Sequence, residues 1–446
     1  MKNRNQRILL GILVAAAILV TGCGDNTNKD TQTQTENGVD TSNTEEKIYT
    51  YDKNTAKKIE LDKESVNINE AGTYIVSGTL QEGQVIIDVP QEEVKLVLDN
   101  VKISSAIGSP IHVKNAKKVI VIPDASTVNS VEELAEGGSE AKSAIFSETD
   151  IVIAGPGELK VTSKSGIGIK GIKNVEVGIG RYNIEAGTLG ISSDQNLTIN
   201  GGEFEVYTDN DGIHAMDTVI LGGTKVKIDT KHNGVVGNKG VNISGSDVYI
   251  DCENNSVHTL GVAEVGGTKF IGNSKNNIIY AEGNLTISGG ELTLDSDKDN
   301  INCLGDVNIS GSNMEAYSRL GAINTSKTVS INGGSLNINN AEYGIQAKSI
   351  TMNGNDSNIT TTKESIIAKG AGKALAITGS ELVLTSEGVA ISCKADANIA
   401  GSTVTIGDGA DGLTPEEKVK IDGTVELVSS DIKDSKENKL DIQSLK

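Results

Sequence analysis

A branched aliphatic residue returns every 22 positions through most of this chain: Ile145, Ile167, Ile191, Ile213, Val235, Val257, Ile279, Ile301, Ile323, Ile345, Ile367, Val389 and Leu413. Ten of the twelve intervals are 22 residues and two are 24. Glycines keep the same register at Gly201, Gly223, Gly245, Gly267, Gly289, Gly311 and Gly333. So short and regular a period requires one supersecondary unit stacked on copies of itself, each burying what its neighbour exposes. A chain of 446 residues built this way needs no single globular core.

Alternation within the repeat marks two strands. The first carries Leu197 and Ile199, then Val219 and Leu221, Val241 and Ile243, Leu285 and Ile287, Val307 and Ile309. The second carries Phe204 and Val206, Val226 and Ile228, Val248 and Ile250, Leu292 and Leu294, Leu336 and Ile338. Residues two apart share one face of a strand, so each pair points inward. The glycine column falls between the strands, where a corner needs positive φ or no Cβ. A third short strand carries the aliphatic column. The expected fold is all-β, a right-handed parallel β-helix with three short strands per coil. Helical solenoids need more helix-forming residues, and the leucine-and-asparagine signature of leucine-rich repeats is absent. Roughly fifteen coils at about 4.8 Å each predict a rod about 70 Å long.

The ends differ from this body. Lys2, Arg4 and Arg7 precede an apolar run from Ile8 to Val20, too short to span a bilayer but suited to an export signal over residues 1–22. Val20-Thr21-Gly22-Cys23 resembles the bacterial lipoprotein processing box, which implies cleavage before Cys23 and lipid on its thiol. Residues 23–46 are polar and read as a flexible tether, because they cannot bury enough surface to offset their ordering entropy. The β-helix is expected over 47–430, followed by a polar tail over 431–446. Its early strands centre on Tyr74-Ile75-Val76, Val85-Ile86-Ile87, Val94 to Leu98 and Val119 to Ile122. Pro123 to Lys142 breaks the rhythm and reads as a surface loop with a helical turn.

Formal charge is −20, and removal of the export signal lowers it by its three cations. Such a surface repels nucleic acid. Cys252, Cys303 and Cys393 occupy unrelated places in the repeat, without CxxC spacing, and read as packed residues rather than disulfide partners or metal ligands.

Stacked coils turn residues 22 apart into vertical neighbours. Two positions before the aliphatic column stand Asp211, Asn233, Asn255, Asn277 and Asp299, a column whose amides can bond from coil to coil. At its ends, Asp209 with Asp211 and Asp297 with Asp299 offer hard oxygens at the density calcium requires. Asp408 and Asp411 repeat the pattern. Aspartates are also ordinary turn formers. One position after the column runs an outward strip, His214, Val236, His258, Tyr280, Asn302, Asn324 and Gln346, which could lie against an extended polymer or simply face solvent. Catalysis finds little support. No nucleophile elbow or His-Asp-Ser order stands out, and Arg319, one coil from Asp297, is the one base worth naming for a lyase.

Ala71-Gly72-Thr73-Tyr74-Ile75-Val76-Ser77-Gly78-Thr79-Leu80, Gly83 to Val89, Val94 to Val101 and Ile111 to Lys118 resemble the bacterial surface carbohydrate-binding β-helix family. Its Asp-Gly-Ile repeat is present as Asp211-Gly212-Ile213, and the resemblance covers about residues 48 to 428. It implies a pectate-lyase-like β-helix that binds cellulose or polygalacturonate, carries calcium and is not chiefly an enzyme. Two departures are visible: most coils here have lost the Asp-Gly pair, and no glycine-rich C-terminal extension follows. The acidic surface would repel polygalacturonate unless calcium bridged the two anions. Neutral glucan avoids that repulsion, but with no tryptophan only Tyr207, Tyr249 and Tyr280 remain for stacking on sugar. The expectation is therefore a lipid-anchored, calcium-assisted polysaccharide-binding protein on the outer face of the cytoplasmic membrane. The alternatives are a calcium-dependent lyase and a structural adhesin.

Overall fold

The structure, a computed structural model, describes residues 49–135, 143–407, 411–415 and 419–427, the last two stretches through their backbone. The export signal, Cys23, the tether, Asp408 and the polar tail lie outside the described residues. Within them the chain is all-β, without a helix, and 43 strands wind into a parallel β-helix of about fifteen coils. One coil runs through the strands Leu197–Asn200, Glu203–Thr208 and Ile213–Ala215. Each strand pairs in parallel with its counterpart one coil on: Leu197 with Val219, Phe204 with Val226, Ile213 with Val235. Three stacked sheets result. Sheet 1 holds the Leu197–Asn200 series, sheet 2 the Glu203–Thr208 series and sheet 3 the Ile213–Ala215 series.

Alternation sets which side is inside. Val226 and Ile228 are buried while Lys225, Lys227 and Asp229 face out, as period-two geometry demands. From coil to coil the inward residues form one continuous core. The glycine column turns the corner between sheets 1 and 2 at φ of 56° to 72° from Gly201 to Gly333. At Gly245 nothing stands within 4 Å of where a Cβ would lie, so the left-handed backbone, not crowding, is what favours glycine there.

The aliphatic column stands where expected from Ile191 to Ile345, and three of its members are different residues. Ile169 pairs with both Ile145 and Ile191, so it takes the place assigned to Ile167. The two extra residues of that coil lie before the strand rather than after it. Ile366 stacks on Ile345 and Ile391 stacks on Ile366, displacing Ile367 and Val389. Intervals there are 21 and 25 residues, a deletion and an insertion that a strict count of 22 hides. A one-residue slip reverses a strand's faces, so Ile367 pairs with Gln346 on the outer face, where it stays buried.

The excursion after Pro123 also differs. Val128–Glu133 is a strand, not a helical turn, and it pairs with both Lys102–Ser105 and Glu158–Ser163. Val131 and Glu133 alternate inward, and the buried Glu133 carboxylate accepts from Ser163 Oγ at 2.9 Å and from the Ala135 amide at 2.6 Å. An apolar-acid alternation is a strand pattern when the acid finds donors inside. Cys252, Cys303 and Cys393 are buried and form no disulfide among the described residues. Burial pushes the Cys252 thiol up to about 12, so it stays protonated.

Candidate functional site

The corner before sheet 3 is built from amides. Asn233 Nδ2 donates to Asp211 Oδ1 at 2.9 Å, Asn255 Nδ2 to Asn233 Oδ1 at 3.2 Å, and Asn277 Nδ2 to Asn255 Oδ1 at 3.1 Å. Each lower oxygen also accepts the backbone N–H one coil above. The expected ladder is therefore present and buried, and its oxygens are satisfied from Asp211 to Asn255, while Asn277 Oδ1 at its end has no donor. A second, outer ladder adjoins it: Asn276 Nδ2 donates to Asn254 Oδ1 at 2.8 Å, and Asn254 Nδ2 reaches Asn233 Oδ1 at 3.0 Å.

The ladder begins at a carboxylate shared by two histidines. Asp211 Oδ1 lies 2.6 Å from His232 Nδ1, and Oδ2 lies 3.1 Å from His214 Nδ1. Burial pushes this carboxyl up, but hydrogen bonds from His214, His232 and Asn233 outweigh it and hold it down at about 2. His232 was not anticipated as a site residue. Its signal was present, since it stands in the column one position before the ladder: Asn210, His232, Asn254, Asn276.

The outward strip on sheet 3 is longer than the sequence suggested. Strand pairing joins His112, Phe146, Lys170, Ser192, His214 and Val236, then His258, Tyr280, Asn302, Asn324 and Gln346. His214, His258, Tyr280 and Asn302 are brought into this one row, all half-buried. His258 and Tyr280 meet edge to face with ring centroids 5.2 Å apart, and His112 meets Phe146 at the same separation. Burial lowers the His258 imidazole below its usual range. Asn302 and Asn324 both donate to Asp299 Oδ2, at 3.2 and 3.1 Å, and Gln346 donates to Asn324 at 3.1 Å. The row thus presents rings and amides held in fixed directions. Three of the chain's four histidines stand in it.

Tyr207 and Tyr249 do not join that row. They lie on the outer face of sheet 2, which holds a groove of about 550 Å³ spanning six coils. Along its edge the charges alternate coil by coil: Glu158, Arg181, Glu203, Lys225, Asp247, Lys269. Lys227 donates to Tyr207 OH at 3.3 Å with its ammonium 5.6 Å from the ring centroid. A second hollow of about 460 Å³ shares Glu158, Arg181 and Glu203 with the first. This groove escaped sequence reading, because solvent-facing charges on a strand look like ordinary surface.

The acidic turns are occupied by donors. Asp209 pairs with Lys231, Asp211 with the two imidazoles, and Asp297 with Arg319 Nε at 3.3 Å. Asp299 is buried, and burial raises its carboxyl above the usual range despite the Asn324 and Asn302 amides. On the coil below it, Asn276 Oδ1 and Asn277 Oδ1 are buried oxygens without a donor. Asp411 lies in the strand Asp411–Pro415. Among the described residues, no three His, Cys, Asp or Glu side chains converge on a point where a metal ion could sit. Arg319 projects into solvent with its side chain 74% exposed.

Comparison with known proteins follows this geometry. A family model for carbohydrate-binding domain-containing proteins matches residues 62–319, 209–365 and 273–435, overlaps that stacked similar coils produce. A carbohydrate-binding domain-containing protein of Acetivibrio thermocellus is 29% identical over 192 residues, 41% of this chain and 65% of the relative, so the match spans less than two thirds of that relative's length. A solved structure, the polysaccharide lyase-like protein from C. thermocellum in a gadolinium derivative, is 25% identical with a TM-score of 0.44, over 47% of this chain and 95% of that one. On the first of the family matches alone, which takes in more than half of its length, this chain belongs to the carbohydrate-binding domain-containing protein family.

Proposed function

We propose that this chain is a non-catalytic surface protein that holds plant or cell-wall polysaccharide, polygalacturonate or a cellulose-like glucan, along the outward row of sheet 3. The observation that carries this reading is the row from His112 to Gln346, in which rings and hydrogen-bonded amides stand on every coil from His258 to Gln346. An extended glycan offers apolar ring faces and hydroxyls at short intervals, and such a row meets both. Family membership supports it. Lipid on Cys23 would fix the rod to the outer face of the cytoplasmic membrane, with residues 23–46 as spacer. Calcium, in this reading, sits at the Asp297 and Asp299 corner, where the donor-free oxygens of Asn276 and Asn277 add to the carboxylates. It would neutralise part of the acidic surface against a uronate chain. Arg319 is exposed and paired with Asp297 rather than set in an enclosed site, which favours binding over lyase chemistry.

The test is retention of the mature protein on insoluble polygalacturonate and cellulose, with calcium and with chelator. His258→Ala/Tyr280→Ala should weaken retention at least about tenfold, the effect of losing two hot-spot rings. No retention on any glycan in either condition overturns the reading.

A further inference from the structure

The groove on sheet 2 has a charge pattern with its own pitch. Arg181, Lys225 and Lys269 recur at every second coil, and Glu203 and Asp247 stand on the coils between them. Coils are one interstrand spacing apart, so like charges repeat at roughly 9 to 10 Å. That is the length of one extended disaccharide, not one sugar. Arg181 and Lys225 share Glu203 at 3.5 and 3.6 Å, with all three side chains at least half exposed. Pairs so exposed are weak and readily exchanged. Lys269 makes no ion pair among the described residues. Lys227 stands beside this edge, and Tyr249, half-buried, lines the groove as a ring against which a sugar face can rest.

We propose that this groove is a second glycan site, distinct from the row on sheet 3, that takes an acidic polysaccharide carrying one carboxylate per disaccharide. Arg181, Lys225 and Lys269 each receive one carboxylate, and the neutral sugar between lies over the coil of Glu203 or Asp247, where its hydroxyls donate to those acids. A polymer with a carboxylate on every sugar is disfavoured, because alternate charges would meet Glu203 and Asp247. The protein's own cations neutralise this ligand, so no bridging calcium is needed.

The experiment uses hyaluronate, a polymer of alternating uronate and N-acetylhexosamine, immobilised beside polygalacturonate, with chelator present and at low salt. Full-length protein should bind hyaluronate at least about tenfold more tightly than polygalacturonate, and the affinity should fall steeply as salt rises. R181Q/K225Q/K269Q should lose at least about tenfold of hyaluronate binding. Glu203→Gln, which frees two of the cations, should instead tighten it about threefold. Equal binding by the triple variant, or no preference for hyaluronate in chelator, overturns the proposal. His258→Ala/Tyr280→Ala should leave hyaluronate binding unchanged, which separates this site from the row on sheet 3.

Discussion

Nδ1 of His232 lies 2.6 Å from Oδ1 of Asp211, the acid one coil below it at the foot of the asparagine ladder. With His214 on the other oxygen and Asn233 on the same one, the carboxylate is held charged while buried. Folding thus lowers this pKa to about 2. The stability it contributes is fully present above the unfolded value, near 4, and disappears as pH falls through the folded one. The shift corresponds to roughly 2 kcal/mol. Asp211→Asn keeps an oxygen for Asn233 and removes the charge, so its urea unfolding free energy should approach the wild type's near pH 2 and fall about 2 kcal/mol below it at pH 5. Curves that stay parallel across that range would rule out the linkage.

Asp299 behaves in the opposite way. Burial raises its carboxyl, and the Asn277 oxygen on the coil below has no donor. A raised folded pKa means the ionised form opposes folding, so the contribution of Asp299 is lost as pH climbs through its folded value. Asp299→Asn removes the buried charge and supplies an amide that can continue the ladder onto Asn277. In chelator at pH 7 it should be more stable than wild type by about 1 kcal/mol. Should calcium occupy this corner, added calcium raises the wild-type melting temperature and leaves that of the variant unchanged. A variant that melts lower in chelator contradicts the ladder argument.

Why the ladder could be read from sequence more readily than the histidine clamp is a matter of side-chain direction. Asn233, Asn255 and Asn277 repeat at the coil period, so stacking alone predicts their contacts. His232 reaches Asp211 from one position off that column and across a coil, which depends on side-chain direction. The same limit applies to Ile169 and Ile366. Period counting places an insertion only where the frame visibly breaks, whereas packing places it where the core tolerates it. The groove was hidden for a third reason. Its alternating charges become a pattern only when sheet 2 is stacked, because successive members lie a full coil apart in sequence.

Glycines at two corners should fail differently. Gly267 has φ of 56° and open space around a Cβ, so Gly267→Ala carries only the backbone cost, about 1 kcal/mol. Gly267→Asn should cost less, since asparagine tolerates that region. A Cβ at Gly234 would stand 2.6 Å from the Ser256 carbonyl oxygen and 2.5 Å from Ile250 Cγ2. The carbonyl belongs to the next coil and cannot rotate away. Gly234→Ala should therefore cost about 3 kcal/mol in urea titration. Equal losses at the two positions would show that the neighbouring coil gives way and that its close approach at Gly234 costs little.

The missing Asp-Gly pairs have a packing counterpart that can be measured. Gly212 stands against Ile228 and Gly234 against Ile250, glycine facing a large aliphatic residue. In the next two coils the corner residue grows to Ser256 and then Ile278, and the facing strand position shrinks to Gly272. A Cβ at Gly272 would lie 2.8 Å from Ile278 Cγ2 and 3.2 Å from Ser256 Oγ. Large and small have exchanged places, so volume in the core is kept while the glycine moves. Gly272→Ile alone should overpack this point and cost about 3 kcal/mol. Ile278→Gly alone should open a cavity and cost a similar amount, about 3 kcal/mol. Together they clear the Ile278 side chain from the space that a side chain at position 272 must fill, leaving Ser256 as its neighbour, and the double variant should be at least about 1 kcal/mol more stable than the sum of the singles predicts. Additivity within about 0.5 kcal/mol would mean the two positions relax independently, and the exchange would then be coincidental.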